Sequence, residues 1–168
     1  MSSLPEYWLR GPVVSVPPLL QPVAHALLQA REEVLLYMKD FPVSSLWATP
    51  TGMASVAFHL QHLAGVLDRL FTYAKGLPLS AAQLSYLSLE GKETDETDLD
   101  TMLHNFVQTI DSFVSGLSGF DEKHLADIRY VGRKKLPSTV IGLLFHAAEH
   151  TMRHTGQLLV TVSWVKSI

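Results

Sequence analysis

The fold of this chain is decided by one segment near its end, His146-Ala-Ala-Glu149-His150-Thr-Met-Arg153-His154-Thr-Gly156-Gln157, inside the apolar run Val140 to Val165. Three of the eight histidines recur in this segment at intervals of four residues. Four residues of an α-helix turn by about 400° and rise by about 6 Å, so successive histidines lie on one face. The segment therefore predicts a long helix in which two neighbouring imidazoles can bind one cation.

A metal site needs at least one more protein ligand than such a pair supplies. His146 and His154 are about 12 Å apart along the helix axis, so they are not expected to share an ion. The third ligand must come from His146 in a distorted arrangement or from another helix. For the second alternative the sequence offers His59-Leu-Gln-His62.

Length and composition limit the class of protein. The 168 residues are expected to form a single domain, residues 1–168, with residues 1–17 as an extended lead-in rich in proline. Hydrophobic residues make up 47% of the chain and charged residues 17%, against about 25% charged residues in an average globular chain. This composition predicts a surface partly covered by a second copy, hence a homodimer. A net charge of −3 argues against nucleic acid as a partner.

The chain contains no cysteine. This excludes a disulfide framework, a thiolate zinc site and a catalytic cysteine, and it fits a reducing compartment. The N-terminal residues show no basic region followed by an apolar core, so no signal peptide is expected. The sequence therefore predicts a cytoplasmic protein without a membrane partner.

Helical periodicity, prolines and capping side chains predict four long helices. Their expected limits are residues 17–39, 51–75, 98–117 and 138–163. Thr51 or Ser55 can cap the second helix, and a short helical segment is expected from Ser80 to about Glu90. Val160–Val165 alternates like a strand, but its continuity with a long helical pattern favours helix.

Four long helices without a convincing strand predict an all-α fold, namely a four-helix bundle. The connection between the second and third helices, residues 77–97, is long enough to travel the length of the bundle. This favours a crossover topology, up-down-down-up, over a simple up-down-up-down arrangement.

The helix midpoints indicate where the third ligand comes from. The second helix is centred near His62 and the last near His150. If the two helices are adjacent and antiparallel, His62 faces His150 and His154. Three neutral imidazoles are typical of an open metal centre that leaves room for water or substrate. The competing interpretation is that core or surface histidines happen to recur.

The motifs Phe58-His-Leu-Gln-His62-Leu-Ala64 and His146 to Gln157 resemble the DinB-like, YfiT-like superfamily, which includes bacillithiol and mycothiol transferases. The match in helix order and spacing covers nearly the whole chain. The resemblance implies a crossover four-helix bundle, frequent dimers and a divalent metal held by one histidine of the second helix and two of the last. By position these ligands are His62, His150 and His154. His146 is then a second-shell or alternative ligand.

One departure from the family pattern concerns an arginine. Many relatives have arginine directly after the last ligand, whereas this chain has Thr155 there and Arg153 before the ligand. Any role tied to that arginine is therefore not expected here. Glu149 and Arg153 are four residues apart in the favourable orientation, which predicts an ion pair on the helix surface.

The family resemblance implies a metal-dependent transferase that activates a low-molecular-weight thiol. Three imidazole ligands suit zinc, nickel, copper or iron, and zinc, nickel or iron is expected as the divalent metal. The basic cluster of residues 129–135, with Arg129, Arg133, Lys134 and Lys135, could receive carboxylates of the thiol, although a solvated cationic loop is the simpler interpretation. One alternative is metal-dependent hydrolysis, for which Glu149 is the only acidic neighbour of the ligands in sequence. Another is a non-enzymatic, stress-associated dimer that binds a metal or a ligand.

Overall fold

The computed structural model describes residues 4–94 and 97–167, most of which are helical. Two antiparallel strands, β1 (Ile128–Val131) and β2 (Leu136–Thr139), form a hairpin. The α-helices in the described ranges are α1 (Gln21–Tyr37), α2 (Val56–Ala74), α3 (Ala81–Leu89), α4 (Leu99–Gly116) and α5 (Val140–Val165). All four long helices and the short one therefore occur in the predicted order. Of the predicted connection between the second and third helices, residues 77–97, residues 95 and 96 lie outside the described residues.

Side-chain caps fix where several helices begin. Ser55 Oγ accepts a hydrogen bond from the Phe58 N–H at 3.1 Å and starts α2, so of the two predicted caps Ser55 is used. Thr51 lies instead in a short 3-10 turn with φ of 49°, which is why α2 begins five residues later than predicted. Thr139 caps α5 through the Gly142 N–H, and this moves the start of α5 from the predicted Ser138 to Val140.

The hairpin corrects the prediction of a wholly α-helical chain. β1 alternates between exposed and half-buried residues, with Ile128 and Tyr130 exposed. Gly132 and Lys135 adopt positive φ angles of 67° and 50°, which allow the chain to reverse tightly between the strands. Strands of four residues leave too short an alternation to be recognised beside long helical patterns. The predicted helix over Val160–Val165, by contrast, is confirmed.

The long helices pack so that α2 and α5, which are distant in sequence, lie side by side. α2 contacts α5 and α4, and α1 also contacts α5 and α4. Lys166, which directly follows α5, donates from Nζ to the carbonyl oxygens of Tyr37, the last residue of α1, and of Lys39. The C-terminal ends of α1 and α5 are therefore adjacent, so the two helices run in the same direction. Fully buried side chains from all four helices fill the space between them: Leu27, Leu60, Leu63, Leu67, Phe106, Ile110, Leu144 and Leu158.

Several large apolar side chains remain exposed on the outer faces of α1 and α5. We call this the α1–α5 surface, and it contains Leu35, Leu36, Leu159, Val160 and Trp164. No helix in the described ranges combines the length and the apolar character that a membrane crossing requires.

Candidate metal centre

Four histidines meet where α2 crosses the middle of α5. His59 and His62 are one turn apart on α2, and His150 and His154 are one turn apart on α5. His62 Nε2 lies 2.9 Å from His150 Nε2, and His59 Nδ1 lies 3.1 Å from His154 Nδ1. Residue number thus rises along α2 as it falls along α5, which makes the two helices antiparallel, as the sequence required for these rings to meet.

Three of these rings, those of His62, His150 and His154, surround one point. The ring centroids are 4.6 Å apart for His62 and His154, 4.5 Å for His150 and His154, and 5.2 Å for His62 and His150. One nitrogen from each ring lies within 4.8 Å of the other two. Because zinc–imidazole bonds are about 2.0–2.1 Å long, a small closure of this triangle is enough for the three residues to hold a metal ion.

The surroundings keep two of these imidazoles, those of His150 and His154, in the neutral form that binds metals. Burial, together with the neighbouring His62 and His150, lowers the pKa of His154 to about 4. Burial also lowers the pKa of His150, with contributions from His62 and His146. At neutral pH the nitrogen lone pairs of both rings are therefore available to a cation.

Glu90, at the end of α3, hydrogen-bonds to the far side of the His62 ring. His62 Nδ1 donates to Glu90 Oε2 at 2.9 Å, and Arg69 donates to Glu90 Oε1 at 2.5 Å. Only 7% of the Glu90 side-chain surface and 10% of that of Arg69 is exposed. Burial raises the pKa of Glu90, but the hydrogen bonds from His62 and Arg69 outweigh it, and the pKa lies below its ordinary value. Glu90 is therefore a carboxylate that only accepts hydrogen bonds.

This contact determines how protons are distributed over the rings. Since Glu90 accepts, His62 carries a proton on Nδ1, and Nε2 is the nitrogen that faces the other rings. In the 2.9 Å contact one proton lies between the Nε2 atoms of His62 and His150. His150 Nδ1 is buried and has no hydrogen-bond partner among residues 4–94 and 97–167. A divalent metal would replace that proton between the two Nε2 atoms, so the donor set fits such an ion.

His59 stands behind His154 and is itself almost completely buried, with 3% of its surface exposed. Burial, with a contribution from the nearby His62, lowers its pKa to about 4. When His154 donates from Nδ1 to His59 in this contact, the lone pair of His154 Nε2 stays available to a cation. His59 therefore lies outside the three-ring group and contacts one of its members.

His146, the alternative ligand, lies at the outer rim. Its ring centroid is 5.1 Å from that of His150, and 47% of its side-chain surface is exposed. His146 Nδ1 lies 2.6 Å from Glu149 Oε1, while Arg153 donates to Glu149 Oε2 at 2.5 Å. The predicted ion pair between Glu149 and Arg153 is confirmed, and together the contacts with Arg153 and His146 occupy both carboxylate oxygens of Glu149.

Thr155, which stands where relatives have arginine, is fully buried. Its hydroxyl donates to the Thr151 carbonyl oxygen at 2.9 Å. This position faces the packed interior, so in this chain it contributes to helix packing.

Comparison with known proteins adds a family to this geometry. Residues 26–158 match the DinB superfamily, and that range includes all of the histidines described above.

The chain belongs to the DinB superfamily.

The fold is also similar to that of a conserved protein from Enterococcus faecalis known from a crystal structure, with a TM-score of 0.72 and 18% sequence identity. The similarity covers 91% of this chain and 100% of that one. At this identity the likeness concerns the fold alone. No curated protein matches the sequence.

Two residues near the centre of this DinB-superfamily chain were missed by sequence reasoning, Arg69 and Glu90. A signal for them existed, because Arg69 is one of few charges on the apolar helix α2. A buried arginine requires a carboxylate partner. Which carboxylate it would be could not be predicted, since that depends on where α3 ends in space.

Proposed function

We propose that this protein binds a divalent metal ion through His62, His150 and His154 and transfers a low-molecular-weight thiol to an electrophile. The observation that carries this proposal is the convergence of three imidazole side chains between α2 and α5. The family membership adds support, because the match spans both helices that supply these residues.

We also propose that α1, α2, α4 and α5 form an up-down-down-up four-helix bundle. The parallel pair α1 and α5 and the antiparallel pair α2 and α5 support it. So does the contact between Phe71 and Phe113, near the C-terminal ends of α2 and α4, whose ring centroids are 4.7 Å apart. The segment from Gly76 to Asp98, which contains α3, is then the crossover.

The ligand set suits an anionic partner. A bound divalent ion lowers the pKa of a thiol that coordinates it and holds the nucleophilic thiolate. Imidazole ligands carry no negative charge, so His62, His150 and His154 would not compensate the charge of the ion and would favour an anion beside it. Because the chain has no cysteine, the thiol must belong to a cosubstrate. Zinc, nickel and iron are all compatible with three imidazole ligands.

Hydrolysis is less favoured, because the nearby carboxylates are already engaged. Glu149 is held by His146 and Arg153, and Glu90 by His62 and Arg69. Neither is free to act as a general base toward a water at the centre.

The basic cluster has no direct role in this proposal. It lies on the hairpin before α5, about 15 Å along the helix axis from His150 by residue count. Arg129 is held by the carbonyl oxygens of Ala74 and Ile128. The cluster therefore fits the simpler interpretation, a solvated cationic turn.

The metal is tested first, by elemental analysis of purified protein. We expect about one divalent ion per chain in the wild type and at least tenfold lower occupancy after His62→Ala or His150→Ala. His104→Ala is the matched control, since His104 is exposed on α4, outside the centre. Equal metal content in wild type, His62→Ala and His150→Ala would contradict the assignment.

The transferase step is tested with metal-loaded protein, a panel of small thiols and a model electrophile. We expect conjugation that depends on added thiol and disappears in His150→Ala. Metal binding without turnover across the panel would overturn the transferase and leave a metal- or ligand-binding dimer.

A further inference from the structure

We infer that Glu90 is a positioning residue for the metal ligand His62, and that Arg69 and Gly65 hold its carboxylate in place. The inference deepens the proposed function and rests on the proposed metal centre. It concerns a contact between α2 and the end of α3 that neither the family match nor the histidine pattern indicates.

The first step is the orientation of the His62 ring. Its Nδ1–H donates to Glu90 Oε2 at 2.9 Å, which fixes both the tautomer and the direction in which Nε2 points. One face of the His62 ring stacks on the Phe58 ring, with a centroid distance of 5.3 Å and an interplanar angle of 8°. The ring is thus restrained on its edge by Glu90 and on its face by Phe58. A carboxylate behind a ligating histidine also raises the basicity of the ligand.

The second step is how Glu90 is itself held. Arg69 follows His62 by seven residues on α2, which is two helical turns, so both side chains lie on the same side of the helix. One carboxylate oxygen binds each of them. The Glu90 charge is paired in a nearly buried position, where an unpaired carboxylate would be unstable. The backbone next to Glu90 is also held against α2, because the Gly91 N–H donates a hydrogen bond to Gln61 Oε1 at 2.7 Å.

The third step is the space that this carboxylate occupies. Gly65 lies between His62 and Arg69 on α2 and is buried. A Cβ at this position would overlap Glu90 Oε1, and it would lie 2.6 Å from Arg69 Nη1 and 2.8 Å from Tyr86 Cε1. The two nearest of these atoms are the ends of the side chains that form the ion pair, and the third belongs to the Tyr86 ring. An alanine here would therefore push the carboxylate away from His62 while leaving every charged and ligating residue in the sequence.

The consequence is a dependence of metal affinity on residues that do not touch the metal. Loss of such an outer partner typically lowers affinity by about 10–100-fold. A pair that only stabilised the fold would change the unfolding temperature of the metal-free protein and leave the affinity for the ion unchanged.

The experiment measures the affinity of the purified full chain for Zn²⁺ by competition with a chelator, and the visible spectrum of the Co²⁺-loaded protein. The variants are Glu90→Ala, Glu90→Gln and Gly65→Ala. Gly156→Ala is the matched control, since it makes the same change in α5, two residues from His154, where a Cβ would meet no atom within 4 Å. Thermal unfolding of each metal-free variant reports folding separately.

We expect about 10–100-fold weaker Zn²⁺ binding and an altered Co²⁺ spectrum for Glu90→Ala and Gly65→Ala. Glu90→Gln should lie between these variants and wild type, because its amide oxygen still accepts from His62. Gly156→Ala should bind as wild type does. Wild-type affinity in Glu90→Ala and Gly65→Ala would overturn the inference and leave the metal centre standing. A wild-type protein that binds no Zn²⁺ would overturn the proposed function, and the inference with it.

Discussion

His59 is the most sheltered of the clustered imidazoles, and its burial has a measurable consequence in the metal-free protein. Burial lowers its pKa to about 4, against an ordinary value of 6.5. Above about pH 6.5 the ring is neutral in both the folded and the unfolded chain. Between pH 6.5 and 4 the unfolded chain binds a proton that the folded chain does not, so the free energy of unfolding falls. Below about pH 4 the loss is complete.

We therefore predict that His59→Asn reduces the acid sensitivity of the chain. Asparagine can donate or accept a hydrogen bond near the position of Nδ1 but cannot titrate. Since the pKa of His59 is about 4 in the folded chain and 6.5 ordinarily, the wild type should lose up to about 3 kcal/mol more stability between pH 6.5 and 4 than the variant. Urea unfolding at a series of pH values with a chelator present measures this difference. Parallel pH profiles for the two proteins would contradict it, and His104→Asn, on the exposed face of α4, should behave as wild type.

At the same scale, spacing and helix midpoints predicted that His62 faces His150 and His154, and the family resemblance implied the same three residues. His150 and His154 follow from a four-residue interval, and His62 follows from the midpoint of its helix. Glu90 could not be identified in this way, since nothing in the sequence around it shows that the end of α3 folds back onto α2.

Among the elements, α3 depends least on packing. It has no buried residue in the described structure and lies on α2, while a groove of about 1020 Å³ separates it from α4. Polar contacts hold it instead. Ser80 and Gln83 form a reciprocal capping box, and Gln83 Nε2 donates to Thr72 at 2.7 Å and to Asp68 at 2.9 Å. Such an element should open locally before the rest of the fold.

We predict that Ser80→Ala destabilises α3 by about 1 kcal/mol, the usual cost of removing a serine cap. Amide hydrogen exchange in α3 should accelerate about fivefold, while exchange in α5 stays the same. Ser88→Ala, which changes an exposed serine later in α3, is the control. Equal exchange rates in wild type and Ser80→Ala would show that the capping box does not hold this helix.

The hairpin shows where reasoning about elements from sequence ends. The helix order and the cap residues Ser55, Ser80 and Asp98 could be predicted, because caps and periodicity are local properties. β1 and β2 could not, because their pairing depends on a turn whose left-handed residues include a lysine, Lys135, and lysine gives no such signal.

At the scale of the whole molecule, the α1–α5 surface is the best support for the proposed homodimer. Its apolar side chains lie toward the C-terminal ends of the parallel helices α1 and α5. A hydrogen bond from Lys166 to the Lys39 carbonyl oxygen links these two ends. Apolar side chains that cluster in this way on a protein surface commonly mark an interaction site. The cytoplasmic location stays a prediction, and the cysteine-free sequence is the observation that supports it.

We predict that wild-type protein sediments with twice its chain mass of 18.6 kDa and that Leu36→Glu sediments as a single chain. Leu36 is 47% exposed, so the substitution places a charge in the proposed contact without disturbing the core. Leu84→Glu on α3, where the leucine is 44% exposed, should remain dimeric. Analytical ultracentrifugation decides the matter, and a monomeric wild type would exclude the dimer.

Gly65 has a consequence for reading related sequences. Glycine in the middle of a helix costs about 1 kcal/mol relative to alanine, so α2 tolerates an unfavourable residue in order to accommodate a carboxylate from elsewhere in the chain. We therefore expect the pattern His-x2-Gly-x3-Arg on one helix, here His62, Gly65 and Arg69, to indicate that a carboxylate residue from another segment packs against that helix. Homologues that carry the marker can be sorted from those that lack it before any of their structures is known.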